Sequence, residues 1–377
     1  MKEKIREYAL SLGFDVVGFT TADSFDRDEI EALKRIDDNY MAGLPWYTKE
    51  RVRKMNRPTV LLEDARSVIS LATSYLSREP RTPSNVEGRI ARYAWGDDYH
   101  QILKEKLRKF CSELHVITDR PVKTRIFVDD GPMNDRAAAN RSGVGWFGKN
   151  TNIINPDYGS WVLLAQVITD LELQPDKALK KNCGSCVQCI VDCPTDAIVA
   201  PYVIDNRRCI SYLTIELRGA IPRDMRPLIG DWVFGCDICQ EVCPVNIKAK
   251  QRRTEAFQQK QGFSTQELIP ILEMDQETFS FVYRASPIKR TKLVGLQRNA
   301  CVALGNNGDV AAVPALQSVM LGGAPLVRLH AAWALGRIGG DEAMEALHAA
   351  RVSEHDQDVL EEINTSLSEN GEKVSMY

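Results

Sequence analysis

The stretch "NCGSCVQCIVDCPTDAI", residues 182–198, places four cysteines within eleven positions and closes the run with Pro194. Its spacing, C-x2-C-x2-C-x3-C-P, is the bacterial ferredoxin run, in which three thiolates bind one 4Fe–4S cluster and the fourth binds another. A second run, "CDICQEVCP" at residues 236–244, repeats the C-x2-C-x3-C-P part, and Cys209 stands between the two runs. The pattern predicts a ferredoxin-like fold with two 4Fe–4S clusters.

The two ligand sets are expected to cross between the runs. We assign one cluster to Cys183, Cys186, Cys189 and Cys243, and the other to Cys193, Cys209, Cys236 and Cys239. The alternative is a pair of structural zinc sites, which use paired C-x2-C knuckles, often with histidine. No histidine lies between residues 116 and 329, and a proline closes each run, so iron–sulfur is favoured. The remaining two cysteines, Cys111 and Cys301, lie in helical patterns and are predicted core residues.

Length and composition are those of a soluble protein with several domains. The chain has 377 residues, 44% of them hydrophobic, and a formal net charge of −3. It has no apolar run of the roughly 20 residues that span a bilayer, and its first residues, "MKEKIREYALSLGF", lack the apolar core of a signal peptide. We therefore expect a cytoplasmic protein, in which reduced cysteines bind metal rather than form disulfides.

The residues before the cysteine runs alternate between helical and strand patterns. "EKIREYALSLGF" is typical of a helix that ends near Gly13, and "DVVGFTTA", "ARSVISLATSYL", "VKTRIFVDDGPM" and "GSWVLLAQVIT" are typical of strands. The segment from Tyr99 to Leu114 is predicted to be a long amphipathic helix. We expect an α/β (α+β) domain. Neither G-x-G-x-x-G nor a P-loop sequence occurs, so a nucleotide-binding fold is not supported.

Residues 126–161 contain three aspartates and a glycine loop. Asp129, Asp130 and Asp135 lie at or just after a predicted strand end, where sheets present ligand-facing residues. A short helical pattern and three glycines, at 143, 145 and 148, follow. Such a loop permits close approach to a bulky ligand. The alternative is a helix N-cap at Asp130 or Asp135 and a ligand-free turn, and these residues alone leave both interpretations open.

The last third of the chain repeats with a period of 31 residues. "LQRNACVALGN", residues 296–306, aligns with "VRLHAAWALGR", residues 327–337, and matching second helices follow. Helix pairs repeated in this way predict a short HEAT-like stack. We therefore divide the chain into a catalytic α/β domain at 1–175, a ferredoxin-like domain at 176–250, and a basic linker with helical repeats at 251–377.

The region from Lys248 to Arg298 is basic within an acidic protein. It holds ten Lys and Arg against five Asp and Glu, a local net charge of +5. Such a stretch can follow a phosphate backbone without reading sequence. A solvated linker and helix face is the alternative for any charge run.

The segment "VDDGPMNDRAAANRSGVGWFGKN" at 128–150, followed by "YGSW" and by the runs with "CPTDAI" and "CDICQEVCP", resembles the epoxyqueuosine reductase family. "RYAWGDDYH", residues 92–100, also resembles that family. The resemblance extends to about residue 300. It implies a cobalamin-binding α/β domain related to reductive dehalogenases, a ferredoxin-like domain with two 4Fe–4S clusters, and a HEAT-like helical domain.

The activity that the resemblance implies is reduction of epoxyqueuosine to queuosine at the wobble position of tRNA. Cob(I)alamin, formed from cob(II)alamin by electrons from the two clusters, would reduce the epoxide, and Asp129 would be the proton donor. The implied corrin contacts are Arg57, Arg92, Tyr93, Asp129, Gly148, Lys149, Ile153, Asn155, Ser160 and Leu164. The histidine motif D-x-H-x-x-G is not matched, because Leu103 stands where its glycine belongs, so we expect cobalt without a strong lower protein ligand and His100 as a polar helix-end residue.

A tRNA substrate would turn the basic stretch into a binding surface. The residues expected to contact the phosphates are Lys248, Lys250, Arg252, Arg253, Lys289, Arg290, Lys292 and Arg298. The other expected partner is a low-potential electron donor such as flavodoxin or ferredoxin, acting on a monomer away from any membrane. Two alternatives remain: a reductive dehalogenase-like corrinoid enzyme, and an iron–sulfur electron-transfer scaffold without an active site.

Overall fold

The computed structural model describes residues 1–77, 82–251, 257 and 263–374. The chain forms two compact units, each assembled from three segments. The first unit takes its described residues from Met1–Ser77, Asp97–Arg207 and Asp237–Gln258, and the second takes them from Arg78–Gly96, Arg208–Cys236 and Gln259–Tyr377. The predicted division into three domains, with boundaries after residues 175 and 250, stays a prediction.

The first unit is built on a four-stranded sheet. The strands lie in the order Val16–Thr21, Ser67–Ser74, Val162–Thr169 and Thr124–Phe127. Each of the four segments predicted to be a strand therefore forms one. Every neighbouring pair runs antiparallel, and strand Ser67–Ser74 is buried along its whole length. The unit is thus of the α+β kind, and the strand-end rule for open parallel sheets does not position its site.

Helices cover this sheet and connect its strands. They are Lys2–Ser11, Asp26–Asp37, Lys49–Met55, Pro58–Leu61, Tyr99–Thr118 and Asp135–Arg141. Helix Asp135–Arg141 packs against strand Val162–Thr169, with three consecutive buried alanines at 137–139. Its N-cap is Asn134, whose side chain accepts a hydrogen bond from the amide of Ala137 at 3.1 Å. The alternative interpretation, in which Asp130 or Asp135 caps this helix, is therefore not borne out, and both carboxyl groups are left for other contacts.

The cysteine region of the first unit consists of short elements. They are the helices Gln188–Val191, Ile238–Glu241 and Pro244–Ile247 and the strand pairs Trp146–Phe147 with Ile153–Ile154 and Ile198–Ala200 with Val203–Ile204. Helix Gln188–Val191 packs against Ile238–Glu241, so the two cysteine runs meet in space.

The second unit combines a small sheet with the helical repeats. Its strands lie in the order Trp232–Phe234, Glu87–Ile90 and Thr265–Glu267. Its helices are Ile210–Ile215, Arg226–Ile229, Leu268–Glu273, Gln276–Val282, Lys292–Asn307, Val313–Gly322, Pro325–Ile338, Asp341–Ser353 and Gln357–Val374. The predicted repeat is confirmed as helix pairs. A Cβ on Gly305 would lie 2.9 Å from the Cα of Ala334, so the first helices of the two pairs approach backbone to backbone.

The residues predicted to be small core contacts are buried. Cys111 is 9% exposed and Cys301 is fully buried. Burial raises the pKa of the Cys111 thiol to about 11, which keeps it protonated and unsuited to binding metal. Within the described residues, no helix is both long and apolar enough to cross a membrane.

Candidate active site and cluster pocket

Four cysteines of the predicted first set line one pocket of the first unit. The pocket opens to solvent, and its lining residues are Lys149, Asn150, Ile154, Cys183, Cys186, Gln188, Cys189, Cys243 and Pro244. Cys243 lies in the second run, so the predicted crossing of the runs is present in the fold for this set. Four thiols and no other side chain that readily binds iron form the donor set that a 4Fe–4S cubane requires.

The thiols in this pocket influence one another. Burial raises the pKa of Cys189 to about 11, and the neighbouring sulfurs of Cys183, Cys243 and Cys186 raise it further. Several thiols this close together resist ionisation, and a bound iron cation would favour their thiolate form. The residues present therefore fit the cluster.

The second predicted set is divided between the two units. Cys193 and Cys239 belong to the first unit, whereas Cys209 and Cys236 belong to the second. The Sγ of Cys193 accepts a hydrogen bond from the amide of Ala197 at 3.3 Å, as cluster thiolates do. The joint ligation by these four residues stays a prediction.

The glycine loop forms one wall of the cluster pocket. Lys149 donates to the carbonyl of Gly184 at 2.8 Å, and Asn150 donates to the carbonyl of Cys239 at 3.2 Å. A Cβ on Gly148 would lie 2.6 Å from Oδ1 of Asn150, so glycine permits this close turn. The loop that follows the aspartate segment is thereby fixed directly to the cysteine runs.

Asp129 follows strand Thr124–Phe127 with a strained backbone. Its φ angle is +52°, which residues other than glycine seldom adopt and which is frequent at functional sites. The side chain is exposed, and its Oδ2 accepts a hydrogen bond at 2.8 Å from the hydroxyl of buried Tyr99. An exposed carboxyl with a fixed orientation can meet a ligand.

The neighbouring aspartates differ from Asp129 and from each other. Asp130 pairs with Lys104, and its other oxygen accepts from the amide of Val128 at 3.2 Å. Asp135 has no such cation partner. Burial raises the pKa of Asp135 well above its usual range, and the carboxylates of Asp129 and Asp130 raise it further. The carboxyl that favours its neutral form is therefore Asp135.

The residues that resemblance assigned to the corrin fall into two groups. Arg57, Asp129 and Lys149 have accessible side chains, and Arg57 also pairs with Glu29 at 3.0 Å. By contrast, Ile153 and Asn155 are 4% exposed and Ser160 is 5% exposed. Asn155 donates to the carbonyl of Val144 at 2.6 Å, and Ser160 donates to Oε1 of Gln240 at 2.8 Å, so these side chains support the loop from within.

The other assigned positions include two in the second unit. Gly148 is buried in the loop, and Leu164 is half-buried beside the core around Ile153. Arg92 lies in the second unit with its guanidinium 5.4 Å from the ring of Trp95, and Tyr93 packs beside Phe234. All ten corrin contacts stay predictions.

The loop contains one feature that fits a cofactor rich in amide groups. The indole nitrogen of Trp146, between Gly145 and Gly148, is buried without a hydrogen-bond acceptor. A buried donor of this kind is costly unless an acceptor is supplied, and corrin amide side chains carry carbonyl oxygens. A cobalamin site at this end of the first unit stays a prediction.

The predicted phosphate contacts are only partly on the surface. Lys248, Lys250, Lys289, Arg290 and Lys292 are exposed. Lys250 pairs with Asp157 and Arg290 pairs with Glu216, so their charges are partly compensated. Arg252 and Arg253 lie outside the described residues.

Arg298 was wrong as a predicted tRNA contact. Its side chain is fully buried and donates to the carbonyls of Leu213, Leu217 and Gly219 and to Oδ1 of Asn299, at 2.7 to 3.0 Å. Burial lowers its pKa to about 9. A buried guanidinium with this many acceptors stabilises the fold and cannot reach an RNA backbone.

Sequence reasoning missed two residues of the site. Tyr99 was recognised only as the start of a helix, although its hydroxyl donates to Asp129 from the turn that Asp98 caps. Gln166 lies in an otherwise apolar strand pattern and is fully buried. A polar residue inside such a strand is unusual, and this is the signal by which the sequence could have pointed to it. His100 contacts Asp98 at 2.7 Å, which confirms it as a polar helix-end residue.

Comparisons with known proteins agree with this architecture. Residues 56–130 match a family model described as epoxyqueuosine reductase QueG, residues 182–246 match a 4Fe-4S double cluster binding domain, and residues 294–368 match HEAT repeats. An epoxyqueuosine reductase of Bacillus anthracis is 34% identical over 97% of both chains.

Two solved structures are similar over nearly the whole chain. An epoxyqueuosine reductase bound to an epoxyqueuosine-modified tRNA-Tyr stem loop has a TM-score of 0.91 and 34% identity, and the match covers 98% of each chain. The Bacillus subtilis enzyme, in a form with the loop of a catalytic aspartate swung out of the active site, has a TM-score of 0.91 and 33% identity over 97% of this chain and 98% of that one. The protein is therefore an oxidoreductase that belongs to the epoxyqueuosine reductase family.

Proposed function

We propose that this protein reduces epoxyqueuosine to queuosine in the anticodon loop of tRNA. The observation that carries the proposal is the position of the glycine loop. The loop follows Asp129 in the chain after one short helix, Asp135–Arg141. Lys149 and Asn150 at its end line the pocket of four cysteines. One short segment therefore joins a candidate proton donor to a candidate electron source.

The reaction removes the epoxide oxygen as water and leaves an alkene, which takes two electrons and two protons. When bound, the 4Fe–4S clusters supply single electrons at low potential and cobalamin supplies a strongly reducing Co(I) centre. The chain's own contribution is to position the substrate, exclude water and protonate the oxygen that leaves.

Asp129 is the proposed proton donor. Tyr99 holds its Oδ2 and the residue is exposed, so Oδ1 can face the epoxide oxygen. A positioned acid of this kind contributes on the order of 10²- to 10⁴-fold in rate. Support comes from the Bacillus subtilis relative, whose catalytic aspartate lies on a loop that moves.

The proposed partners follow from the exposed parts of the site. Cys186 is exposed, and Val191, on the helix beside it, is 70% exposed, so a flavodoxin or ferredoxin can approach the first cluster. Lys248, Lys289 and Lys292 are exposed cations for the tRNA backbone. The substrate base must leave its stack to reach the site, as single-stranded loop bases can. The proposed mechanism uses one copy of the chain.

The test is an anaerobic turnover experiment. The protein, with reconstituted clusters and added cobalamin, receives a low-potential reductant and epoxyqueuosine tRNA, and the digested nucleosides are analysed by mass. Loss of one oxygen that requires cobalamin supports the proposal. Bound corrin and intact clusters without this loss would contradict it and point to a dehalogenase-like substrate, whereas failure to bind corrin would point to an electron-transfer scaffold.

A further inference from the structure

Asp135, a carboxyl with a buried oxygen, lies beside the proposed proton donor and has no assigned role. Asp135 begins helix Asp135–Arg141, and its Oδ1 is buried without a hydrogen-bond partner. The amide of Gln166 donates to the backbone carbonyl of Asp135 at 3.3 Å, which leaves Oε1 of Gln166 also buried without a partner. Two orphaned acceptors at one place are costly. A proton on Asp135 would turn one of them into a donor and remove the conflict.

The position of Gln166 connects this pair to the Asp129 loop. Gln166 pairs in register with Phe127, the last residue of the strand before Asp129. On its other side it pairs with Ser70, whose Oγ is itself buried without a partner and so does not satisfy Gln166. The unsatisfied atoms therefore lie where the strand ends and the catalytic loop begins.

The charges around Asp135 also favour its neutral form. Asp129 and Asp130 act on it from the loop, and Arg136 acts on it from its own helix. Arg136 is exposed and donates to the carbonyl and hydroxyl of Thr151, so solvent screens most of its charge. The strands packed against the helix contain no charged residue; they are Val16–Thr21, Ser67–Ser74, Trp146–Phe147, Ile153–Ile154 and Val162–Thr169.

We propose that Asp135 is the second acid of this site and holds the proton that replaces the one Asp129 gives up. This inference rests on the proposed epoxide reduction. Asp129 protonates the epoxide oxygen as the first C–O bond breaks, and two electrons arrive from the low-potential donor. The O–H of Asp135 then passes its proton to the Asp129 carboxylate. Asp129 gives this second proton to the resulting hydroxyl, which leaves as water as the second C–O bond breaks and the double bond forms, and both carboxyls regain protons from solvent. Two protons and two electrons thus convert the epoxide to an alkene and water.

Because Asp135 acts through Asp129, it is a positioning residue. Two acids in different environments are a common arrangement for sequential proton transfers. The exposed acid meets the substrate, and the buried acid stays protonated at working pH. The inference explains why a buried carboxyl is placed here without a cation, although an amide at this position would satisfy Gln166 equally well.

The first test is independent of turnover. Infrared spectra of the protein, with and without ¹³C-aspartate, are recorded at pH 7 for the wild type, Asp135→Asn and Asp130→Asn. We expect a protonated-carboxyl band that shifts with the label, persists in Asp130→Asn and is lost in Asp135→Asn. Absence of the band in the wild type, or its persistence in Asp135→Asn, would overturn the inference.

The second test is the pH profile of epoxyqueuosine reduction. Asp135→Asn should keep its melting temperature and iron content but lose about tenfold or more in turnover. The alkaline limb of its profile should move to lower pH, and Asp135→Glu should restore it. A wild-type profile in Asp135→Asn would contradict the proton role. If the wild type does not reduce epoxyqueuosine, the proposed function fails, and the infrared result still decides whether Asp135 is an acid.

Discussion

The hydroxyl of Tyr99 donates to Oδ2 of Asp129 at 2.8 Å and joins the first turn of a helix to the end of a strand. The acceptor sits in a left-handed conformation that the loop alone would not favour. Tyr99 therefore fixes one oxygen of the carboxyl and leaves the other for the substrate. This contact sets the orientation of the carboxyl group of the proposed proton donor.

Tyr99→Phe should lower turnover without unfolding the protein. An ordinary intramolecular hydrogen bond contributes roughly 0.5–1.5 kcal/mol, and loss of that orientation should reduce kcat by up to about tenfold. The measurement is single-turnover reduction of epoxyqueuosine tRNA. Tyr8→Phe is the matched control, because Tyr8 only stacks on Phe110 at 6.3 Å, and it should retain wild-type turnover. Equal activity in Tyr99→Phe and wild type would show that the contact does not position the donor.

Asp129→Asn and Asp130→Asn should separate the two adjacent carboxyls. We expect Asp129→Asn to lose about 10²- to 10⁴-fold in turnover, because the amide cannot protonate the leaving oxygen. Asp130→Asn breaks a surface pair with Lys104 and should lose less than about tenfold. Iron content and corrin binding, measured by absorbance, should be unchanged in both. The reverse order of activities would transfer the proton role to Asp130.

Much of the fold could be predicted because its signals are local. The strand and helix patterns, Gly13 at φ +87° and the repeat around Gly305 depend on short-range periodicity, and each is confirmed. The cysteine spacing also predicted that Cys243 joins the first set, and Cys243 lines the same pocket as Cys183, Cys186 and Cys189. These patterns predict where elements lie, but they do not predict which faces become buried.

The incorrect or missing predictions concern which side chains are buried and which groups they contact. Arg298 carries the same charge as its surface neighbours, and only the packed structure shows that backbone carbonyls surround it. Local sequence patterns are equally silent on the protonation of Asp135, because burial, and not its position beside Asn134, raises its pKa. Long-range packing determines both environments, so composition and spacing could not distinguish a structural arginine or a buried acid.

Cysteine variants should test the crossing of the two ligand sets. Cys243→Ala should abolish the same cluster signal as Cys183→Ala, since both residues line one pocket. Cys193→Ala should abolish the other signal. Each change should remove about four of eight iron atoms per chain, as measured by iron analysis and electron paramagnetic resonance. Cys301→Ala, a core position, should retain both signals. If Cys243→Ala and Cys193→Ala lost the same signal, the assignment would be wrong.

His330 should make the stability of the second unit depend on pH. It is fully buried, its Nε2 accepts from the amide of Ile221 at 3.1 Å, and burial lowers its pKa well below the usual value of 6.5. The unfolded chain binds this proton more readily, so stability is complete above pH 6.5 and is lost as pH falls. The loss approaches about 1.4 kcal/mol per pH unit.

Thermal melts between pH 8 and pH 5.5 measure this loss. His330→Asn should be less stable than the wild type at pH 8 and should show a smaller fall on acidification. The exposed His348 offers a control, and His348→Asn should melt like the wild type at every pH. An unchanged pH dependence in His330→Asn would assign the acid sensitivity to other groups.

The basic surface of the second unit should contribute to tRNA affinity through charge alone. Lys289 and Lys292 are exposed, whereas Arg290, between them, pairs with Glu216. Each phosphate contact that is lost should reduce the slope of log K against log salt by about one. Lys289→Ala combined with Lys292→Ala should therefore weaken binding at low salt and lower the slope by about two.

The double variant Lys109→Ala with Lys123→Ala removes two exposed, ion-paired lysines of the first unit and should bind like the wild type. Fluorescence titrations of a stem loop at several salt concentrations give both slopes. An unchanged slope for the Lys289 and Lys292 variant would show that this surface is a solvated helix face and that the tRNA backbone is bound elsewhere.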